Sequence, residues 1–184
     1  FKVVKFKDYG SQSSRTRTGV IGVRKDLQNI SPFDIFPEKQ KPKTLRKLFA
    51  GLEQLNEMGQ ISQSDIFHSF REYNPKMLSW IENLKEGESA FQNTEKERIP
   101  HQIKDGKIVF NESKNGDKYA RWYWDREGPC VHTRNDILSS QNTVHPSENR
   151  VFSIREIMLM MSIPETFQWS NTSAHASVFF IWGI

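Results

Sequence analysis

Two arginines near the amino end, Arg15 and Arg17, have the chemistry to bind a phosphate or the edge of a base. A guanidinium carries planar, paired N–H donors and keeps its charge, so it can bind such acceptors bidentately. A serine-rich polar segment precedes the pair, and a short apolar run, residues 18–23, follows it. An Arg-x-Arg pair is also common on a solvated surface, so the pair alone leaves both interpretations open.

The positive charge of the chain is concentrated around these arginines. The 184 residues carry a net charge of +4, but residues 1–49 hold twelve Lys and Arg against four Asp and Glu. A local excess of cations suits a polyanion, because each neutralised phosphate releases a condensed counterion. A solvated basic surface would have the same composition, so this feature also leaves two interpretations open.

Composition excludes several classes of protein. A hydrophobic content of 36% favours a globular core over disorder. The single cysteine, Cys130, excludes an intramolecular disulfide framework and favours a reducing, cytoplasmic location. No apolar run approaches the roughly 18 residues of a membrane span, so we expect no membrane partner. His132 and His145 lack carboxylate or thiol neighbours at ligand spacing, so we expect no metal site.

Local patterns predict the elements that hold the arginines. Residues 1–7 alternate apolar and cationic side chains, which predicts a half-buried strand, and residues 18–23 are apolar enough for a buried strand. The loop that carries Arg15 and Arg17, called the arginine loop below, would then lie between these two strands. Residues 29–42 are rich in Pro, Phe and turn formers, which predicts a linker.

The remaining patterns indicate an α+β fold. The predicted elements are a helix over residues 44–59, a helix over 77–85, a hairpin over 103–110 and a strand beginning at 122–124. The helices are predicted from apolar residues spaced by three and four. The hairpin is predicted because Asp105 and Gly106 favour the positive φ angles of a tight turn.

A second distinctive block, residues 150–156, predicts a helix near the carboxyl end. Ser153 and Glu156 have the spacing of a capping box, in which each side chain bonds the backbone N–H of the other residue. The methionine-rich body of the helix is expected to pack in the core, and Pro164 to end it. Arg155 and Glu156 are expected to be part of the scaffold.

These two blocks, their order and the long segment between them resemble the carboxyl-terminal half of DNA cytosine 5-methyltransferases, in which they flank the target-recognition region. The Gly-x-Pro-Gln-x-Arg-x-Arg pattern of that family places Gly10, Arg15 and Arg17 in register. Gln12 and Ser13 stand where the pattern has Pro and Gln. The later block resembles the family segment in which Arg, Ser, an Arg-Glu pair and an apolar helix end in Pro and Phe.

The resemblance implies a partial Rossmann-like α/β element plus a small mixed target-recognition region. Residues 1–28 would supply strands and the arginine loop to a catalytic sheet, and residues 29–42 would be a linker. Residues 43–148 would form the target-recognition region. Residues 149–184 would contain a bracing helix and an atypical tail, which matches nothing in the family pattern and suggests a fragment, a split subunit or a decayed enzyme.

Enzymes of this family flip the target cytosine out of the duplex, attack ring carbon 6 with a cysteine thiolate and transfer a methyl group from S-adenosylmethionine to carbon 5. The resemblance implies that Arg17 touches the target base in a supporting role and that Arg15 holds the loop or its phosphates. The chain contains no Pro-Cys-Gln nucleophile and no Phe-x-Gly-x-Gly cofactor loop. We therefore expect S-adenosylmethionine and the nucleophile to belong mainly to an amino-terminal half. Cys130 lies downstream of the arginines, and we expect it to be buried or half-buried.

The expected partners are double-stranded DNA and either an amino-terminal methyltransferase half or subunit or a second copy of the chain. Thr133, Arg134 and Asn135 are candidate DNA contacts, because Arg and Asn can pair bidentately with guanine and adenine edges. An ordinary loop is an equal alternative for them. The expected function is DNA recognition and target-base binding within a restriction-modification methyltransferase, and the alternative is a non-catalytic DNA-binding or assembly remnant.

Overall fold

The computed structural model describes residues 1–111, 116–164 and 166–167. Its strands and helices, in chain order, are β1 (Lys2–Lys5), β2 (Thr16–Gly19), α1 (Leu45–Leu48), α2 (Leu78–Ile81), β3 (His101–Lys104), β4 (Lys107–Phe110) and α3 (Ile154–Met160). Short 3-10 turns occur at Phe6–Asp8, Pro75–Met77, Ala90–Gln92 and Lys96–Arg98. The fold is mixed α and β, and loops and turns make up most of the described chain. The expected tail beyond residue 170 lies outside the described residues.

The strands form two separate antiparallel pairs. β1 pairs with β2, and β3 pairs with β4. A Rossmann-like sheet needs parallel strands joined by crossover connections, whereas each pair here is joined directly as a hairpin. The described residues therefore contain no Rossmann-like sheet, contrary to the expectation of a partial one.

The strand that carries Arg17 differs from the predicted strand in both position and burial. β2 covers Thr16–Gly19 instead of residues 18–23, and none of its residues is buried. Val20, expected to be buried, is 79% exposed. The pairing with β1, in which only Val4 is buried, sets the end of β2 and places Arg17 within the strand instead of in the loop.

The two central helices are shorter than predicted. α1 is a single turn, and Gly51 shortly after it has φ +96°, a left-handed conformation that an α-helix cannot contain. α2 is also a single turn and follows a 3-10 turn. Leu45 and Phe49 pack in one hydrophobic cluster while Leu55 packs in another, so the predicted apolar stripe is divided between two cores.

Two hydrophobic clusters form the core. The buried members of the first are Leu55, Phe70, Trp80, Ile81, Leu84, Ala90, Tyr119, Leu138, Val144 and Val151. The buried members of the second are Leu45, Phe49, Trp122, Phe152, Ile157 and Met160, which join α3 to α1. The strand predicted at residues 122–124 is not formed. Its first residue instead packs in the second cluster, next to an isolated bridge between Arg121 and Val144.

Two predictions that depend on local sequence are confirmed. Asp105 and Gly106 have φ angles of 50° and 72° and make the tight turn between β3 and β4. Glu156 N donates to Ser153 Oγ (3.2 Å), and Ser153 N donates to the Glu156 carboxylate (2.7 Å). The capping box therefore starts α3, which ends at Met160.

Candidate nucleic-acid interface

The loop that carries the arginines is fixed to a segment that is distant along the chain. Ser14 N donates to Gly128 O (2.9 Å), and Gly128 N donates to Gln12 O (2.9 Å). Arg15 Nη1 donates to Val131 O (3.3 Å). These bonds hold the loop against the segment that leads into the turn around Thr133, so two of the predicted site regions are neighbours in the fold.

Two side chains whose role no local sequence pattern indicates brace the same loop. Gln12 Oε1 accepts from Lys43 N (2.7 Å), and Gln12 Nε2 donates to Gly10 O (2.8 Å). Lys7 Nζ forms an ion pair with Glu127 Oε1 at 2.7 Å. The glutamine that departs from the family pattern is therefore a structural brace. Arg15, at the end of the loop, and Arg17, in β2 directly after it, therefore lie on a backbone that is tied at several points.

Gly128 lies where the loop approaches α3. A Cβ atom on Gly128 would lie 2.4 Å from Met160 Sδ and 3.1 Å from Gln12 O. Met160 is fully buried, so its side chain has little room to move. A glycine at this position therefore allows the close approach between the arginine loop and α3.

Gly128→Ala is expected to lower the free energy of unfolding by about 1–3 kcal/mol, the usual cost of overpacking a close contact. The added methyl group would press on Met160 from one side and on the loop from the other. Urea unfolding measures the change. Gly22→Ala is the matched control, because nothing lies within 4 Å of a Cβ atom there. Equal stabilities of the two variants would contradict this role of Gly128.

The two arginines differ in how much of each is available to a ligand. Arg15 is half-buried, and Arg17 is exposed with Nη1 donating to Thr16 O (2.8 Å). Within the described ranges neither guanidinium forms an ion pair with a carboxylate. The charge of each is therefore available to an external anion. Arg15 is partly engaged in holding the loop to Val131, whereas Arg17 is the more open of the two.

The turn formed by the other candidate site residues has one buried member and two exposed ones. Asn135 is fully buried, and its Oδ1 accepts from His132 N (2.7 Å). Arg134 N donates to His132 Nδ1 (3.2 Å). The side chains of Thr133 and Arg134 are exposed. The amide oxygen of Asn135 therefore shapes the turn, while Thr133 and Arg134 can face a ligand.

Cys130 corrects one expectation. It is an exposed free thiol, whereas the sequence predicted a buried or half-buried side chain. The preceding residue, Pro129, takes the buried position, and the cysteine is turned towards solvent. Its sulfur contacts only Val131 O, at 3.8 Å, among the hydrogen bonds of the described chain.

Buried ion pairs fix the start of α3. Arg150 forms two parallel bonds to the Glu156 carboxylate, at 2.8 and 2.7 Å, and its Nε donates to Glu148 Oε2 (2.7 Å). Arg150 and Glu156 are each 1% exposed. Burial opposes ionisation of Glu156, but the charge of Arg150 outweighs it and holds the pKa of that carboxyl well below its usual value. Glu156 therefore serves the scaffold, as predicted.

His145 completes this buried network. Its Nδ1 accepts from Glu148 N (3.0 Å), and its Nε2 lies 3.5 Å from Glu156 Oε1. Burial lowers the pKa of His145 to about 4, although the charge of Glu156 acts in the opposite direction. The folded protein therefore holds His145 in its neutral form.

This lowered pKa predicts a loss of stability in mild acid. The unfolded histidine binds a proton below about pH 6.5, whereas the folded one stays neutral down to about pH 4. Stability that is present above pH 6.5 is therefore lost as the pH falls from 6.5 to 4, by about 3 kcal/mol in total. Urea unfolding at several pH values measures this slope. His145→Asn, which keeps an acceptor for Glu148 N, should flatten the slope. His132→Asn is the control, and an unchanged slope in the His145 variant would contradict the assignment.

Two other features, a metal-binding cluster and a membrane-spanning helix, are absent from the described part of the chain. No group of three or more His, Cys, Asp or Glu is placed there to hold a metal ion. Nor does any helix among those residues have the length and apolar character needed to cross a bilayer.

The acidic side chains of the segment that meets the arginine loop are not free carboxylates. A carboxylate that accepts ribose hydroxyls is a common contact for nucleoside cofactors. Both acidic side chains of this segment are already paired, Asp125 with Arg46 at 2.8 Å and Glu127 with Lys7 at 2.7 Å. We therefore assign none of these residues to S-adenosylmethionine.

Comparison with known proteins extends the resemblance over nearly the whole chain. A family model described as C-5 cytosine-specific DNA methylase matches residues 1–183. The type II methyltransferase M1.HgaI of Avibacterium volantium is 26% identical, over 91% of this chain and 46% of the relative. The type II methylase M.HgiDII of Herpetosiphon aurantiacus is 24% identical, over 91% and 45%. The putative type II methyltransferase M.MJ0563P of Methanocaldococcus jannaschii is 24% identical, over 91% and 41%. The chain thus spans less than half the length of each of these relatives.

Proposed function

The chain belongs to the C-5 cytosine-specific DNA methylase family, and we propose that it forms the DNA-recognition and target-base-binding part of a type II restriction-modification DNA (cytosine-5-)-methyltransferase. One observation carries the proposal. Arg15 lies at the end of a loop that is braced against the segment leading to Thr133, and Arg17 lies in β2 directly after it. Neither has a carboxylate partner in the described chain. Two guanidiniums without ion-pair partners, on and directly after a tied loop, suit a nucleic acid, because binding then orders few additional groups.

Each candidate residue has a distinct place in this function. Arg17, the more open of the two, would contact the target base, and Arg15 would hold the loop and the adjoining phosphate. Thr133 and Arg134 would contact base edges or phosphates, because their side chains are exposed. Asn135 would act as a positioning residue, because its amide oxygen is already bonded to the backbone of the turn.

The hairpin of β1 and β2 would join a larger sheet supplied by an amino-terminal half of the enzyme. Phe1, Val3 and Val20 are 96%, 64% and 79% exposed. Neighbouring apolar side chains are rarely so exposed unless another protein surface covers them. A second copy of the chain could cover the same side chains, so a homodimer is the alternative partner. With either partner, residues 1–28 would belong to the catalytic domain and residues 29–42 to a linker. Residues 43–148 would form the recognition region, and the remainder would form the bracing helix and tail.

The chemistry of methyl transfer would come mainly from that partner half. S-adenosylmethionine supplies the methyl group when it is bound, and a cysteine of the other half would attack the flipped base. Cys130 has no such role in this proposal, because it follows the arginine block and lies on the distant segment. Its exposure as a free thiol suits a reducing, cytoplasmic location.

Complementation tests the proposal. The chain would be mixed with an amino-terminal methyltransferase half that carries a cofactor loop and a Pro-Cys nucleophile, and transfer of a tritiated methyl group to duplex DNA would be measured. Transfer should require both polypeptides. Duplex binding by this chain without transfer in any such mixture would favour the alternative, a non-catalytic DNA-binding remnant. Absence of duplex binding would count against both.

A further inference from the structure

Arg126 has its guanidinium held by two aromatic rings on the segment next to the arginine loop. Its Cζ lies 5.2 Å from the ring centroid of Trp122 and 4.9 Å from that of Tyr123. The rings are themselves fixed, because they pack edge to face at 5.7 Å and Trp122 Nε1 donates to Glu127 O (2.8 Å). The guanidinium is therefore held in place, although Arg126 is exposed.

Arg126 forms no ion pair in the described part of the chain, although Glu127 beside it is close enough for a Coulomb attraction. The acidic residues on either side are paired elsewhere, Asp125 with Arg46 at 2.8 Å and Glu127 with Lys7 at 2.7 Å. The Arg126 side chain makes no hydrogen bond or ion pair with any other residue in the described ranges. A cation–π contact supplies no hydrogen-bond acceptor, so the N–H groups of Arg126 remain available to an external one.

The backbone places this cation close to the arginine loop. Gly128, two residues further on, exchanges hydrogen bonds with Gln12 and Ser14 of the loop. Arg126 O accepts from Leu45 N at the start of α1 (2.8 Å). Arg126 therefore lies on the segment to which the arginine loop is hydrogen-bonded.

We propose that Arg126 is an additional DNA-binding residue that clamps a backbone phosphate beside the nucleotide bound by the arginine loop. This inference rests on the proposed function, since it requires duplex DNA at the loop. A guanidinium held by aromatic rings loses little conformational entropy on binding, and its planar donors match two oxygens of one phosphate. The ligand is the sugar-phosphate backbone, so the contact contributes affinity but no sequence preference.

The test is the salt dependence of duplex binding by the full 184-residue chain. The dissociation constant for a fluorescent duplex would be measured between low and physiological salt. Arg126→Gln should reduce the slope of log K against log salt by about 0.9, the value for one phosphate contact on duplex DNA. Arg126→Lys should keep the slope, because it keeps the charge, but should bind more weakly at every salt concentration.

A matched control separates this role from a structural one. Arg24→Gln removes an exposed arginine that is paired with Asp26, and its slope should equal that of the unsubstituted chain. Partial misfolding would weaken binding at all salt concentrations without changing the slope. An Arg126→Gln slope equal to that of the unsubstituted chain would therefore overturn the inference alone. Absence of any duplex binding by the unsubstituted chain would overturn the proposed function as well.

Discussion

Glu156→Gln is expected to lower the free energy of unfolding by about 3–5 kcal/mol, the usual cost of removing one partner from a buried ion pair. The substitution leaves the guanidinium of Arg150, which is 1% exposed, with Glu148 as its remaining carboxylate. Glutamine keeps an oxygen that can accept from Ser153 N, so the capping box can persist. The loss would therefore come from the two charge-assisted bonds between Glu156 and Arg150, which a neutral amide cannot replace. Urea unfolding monitored by tryptophan fluorescence measures it.

Two further variants define the comparison. Asp125→Asn breaks the exposed pair with Arg46, and its unfolding midpoint should stay at the value of the unsubstituted chain. Arg150→Met, alone and combined with Glu156→Gln, completes a double-mutant cycle. The double variant should lose less stability than the sum of the single losses, because the charge of Arg150 is then removed together with that of Glu156. A Glu156→Gln midpoint as unaffected as that of Asp125→Asn would show that the buried pair does not hold α3.

The capping box at Ser153 and the turn at Asp105 could be predicted because each depends on residues that are adjacent in sequence. A serine followed three residues later by a glutamate determines its own hydrogen bonds. An Asp-Gly pair has the φ angles that the turn requires. The role of Glu156 in the scaffold was also predictable in general terms. Its pairing with Arg150 and the neighbouring neutral histidine was not, because both depend on how the chain folds back after residue 145.

The predicted bounds of β2 and α1 were wrong because both elements depend on contacts between residues that are distant in sequence. Apolar spacing predicted one helix through Leu45 and Leu55, but the two residues belong to different clusters and the chain turns between them. β2 was predicted from the apolar run after the arginines, whereas pairing with β1 selected the polar residues before it. In both cases tertiary contacts decided the outcome, and local propensity is too weak to oppose them.

Within the candidate site, the sequence identified the cations but not what holds them. Arg15 and Arg17 were found from their spacing and from the resemblance. The contact between Arg15 and Val131 joins residues 116 positions apart, and no local pattern indicates such a contact. Gly128 carried a weak signal, since a Gly-Pro pair marks a turn, but its closeness to α3 is visible only in the fold.

Arg17→Ala is expected to reduce methyl transfer in the complemented enzyme by roughly 100- to 1,000-fold, the range seen when one donor to a reacting group is removed. The side chain is exposed and bonds only the carbonyl of the preceding residue in the described chain, so its removal should leave the stability of the fold unchanged. Tritiated methyl transfer and urea unfolding, measured on the same preparations, would separate the two effects.

The comparison with neighbouring cations makes this prediction specific to Arg17. Arg24→Ala removes an exposed arginine that is paired with Asp26, and it should retain transfer close to that of the unsubstituted chain. Arg17→Lys keeps the charge but loses the planar pair of donors, so an intermediate rate would indicate that bidentate geometry matters as well as charge. Transfer by Arg17→Ala at the level of Arg24→Ala would mean that the target base is held by other residues, and the role proposed for Arg17 would be wrong.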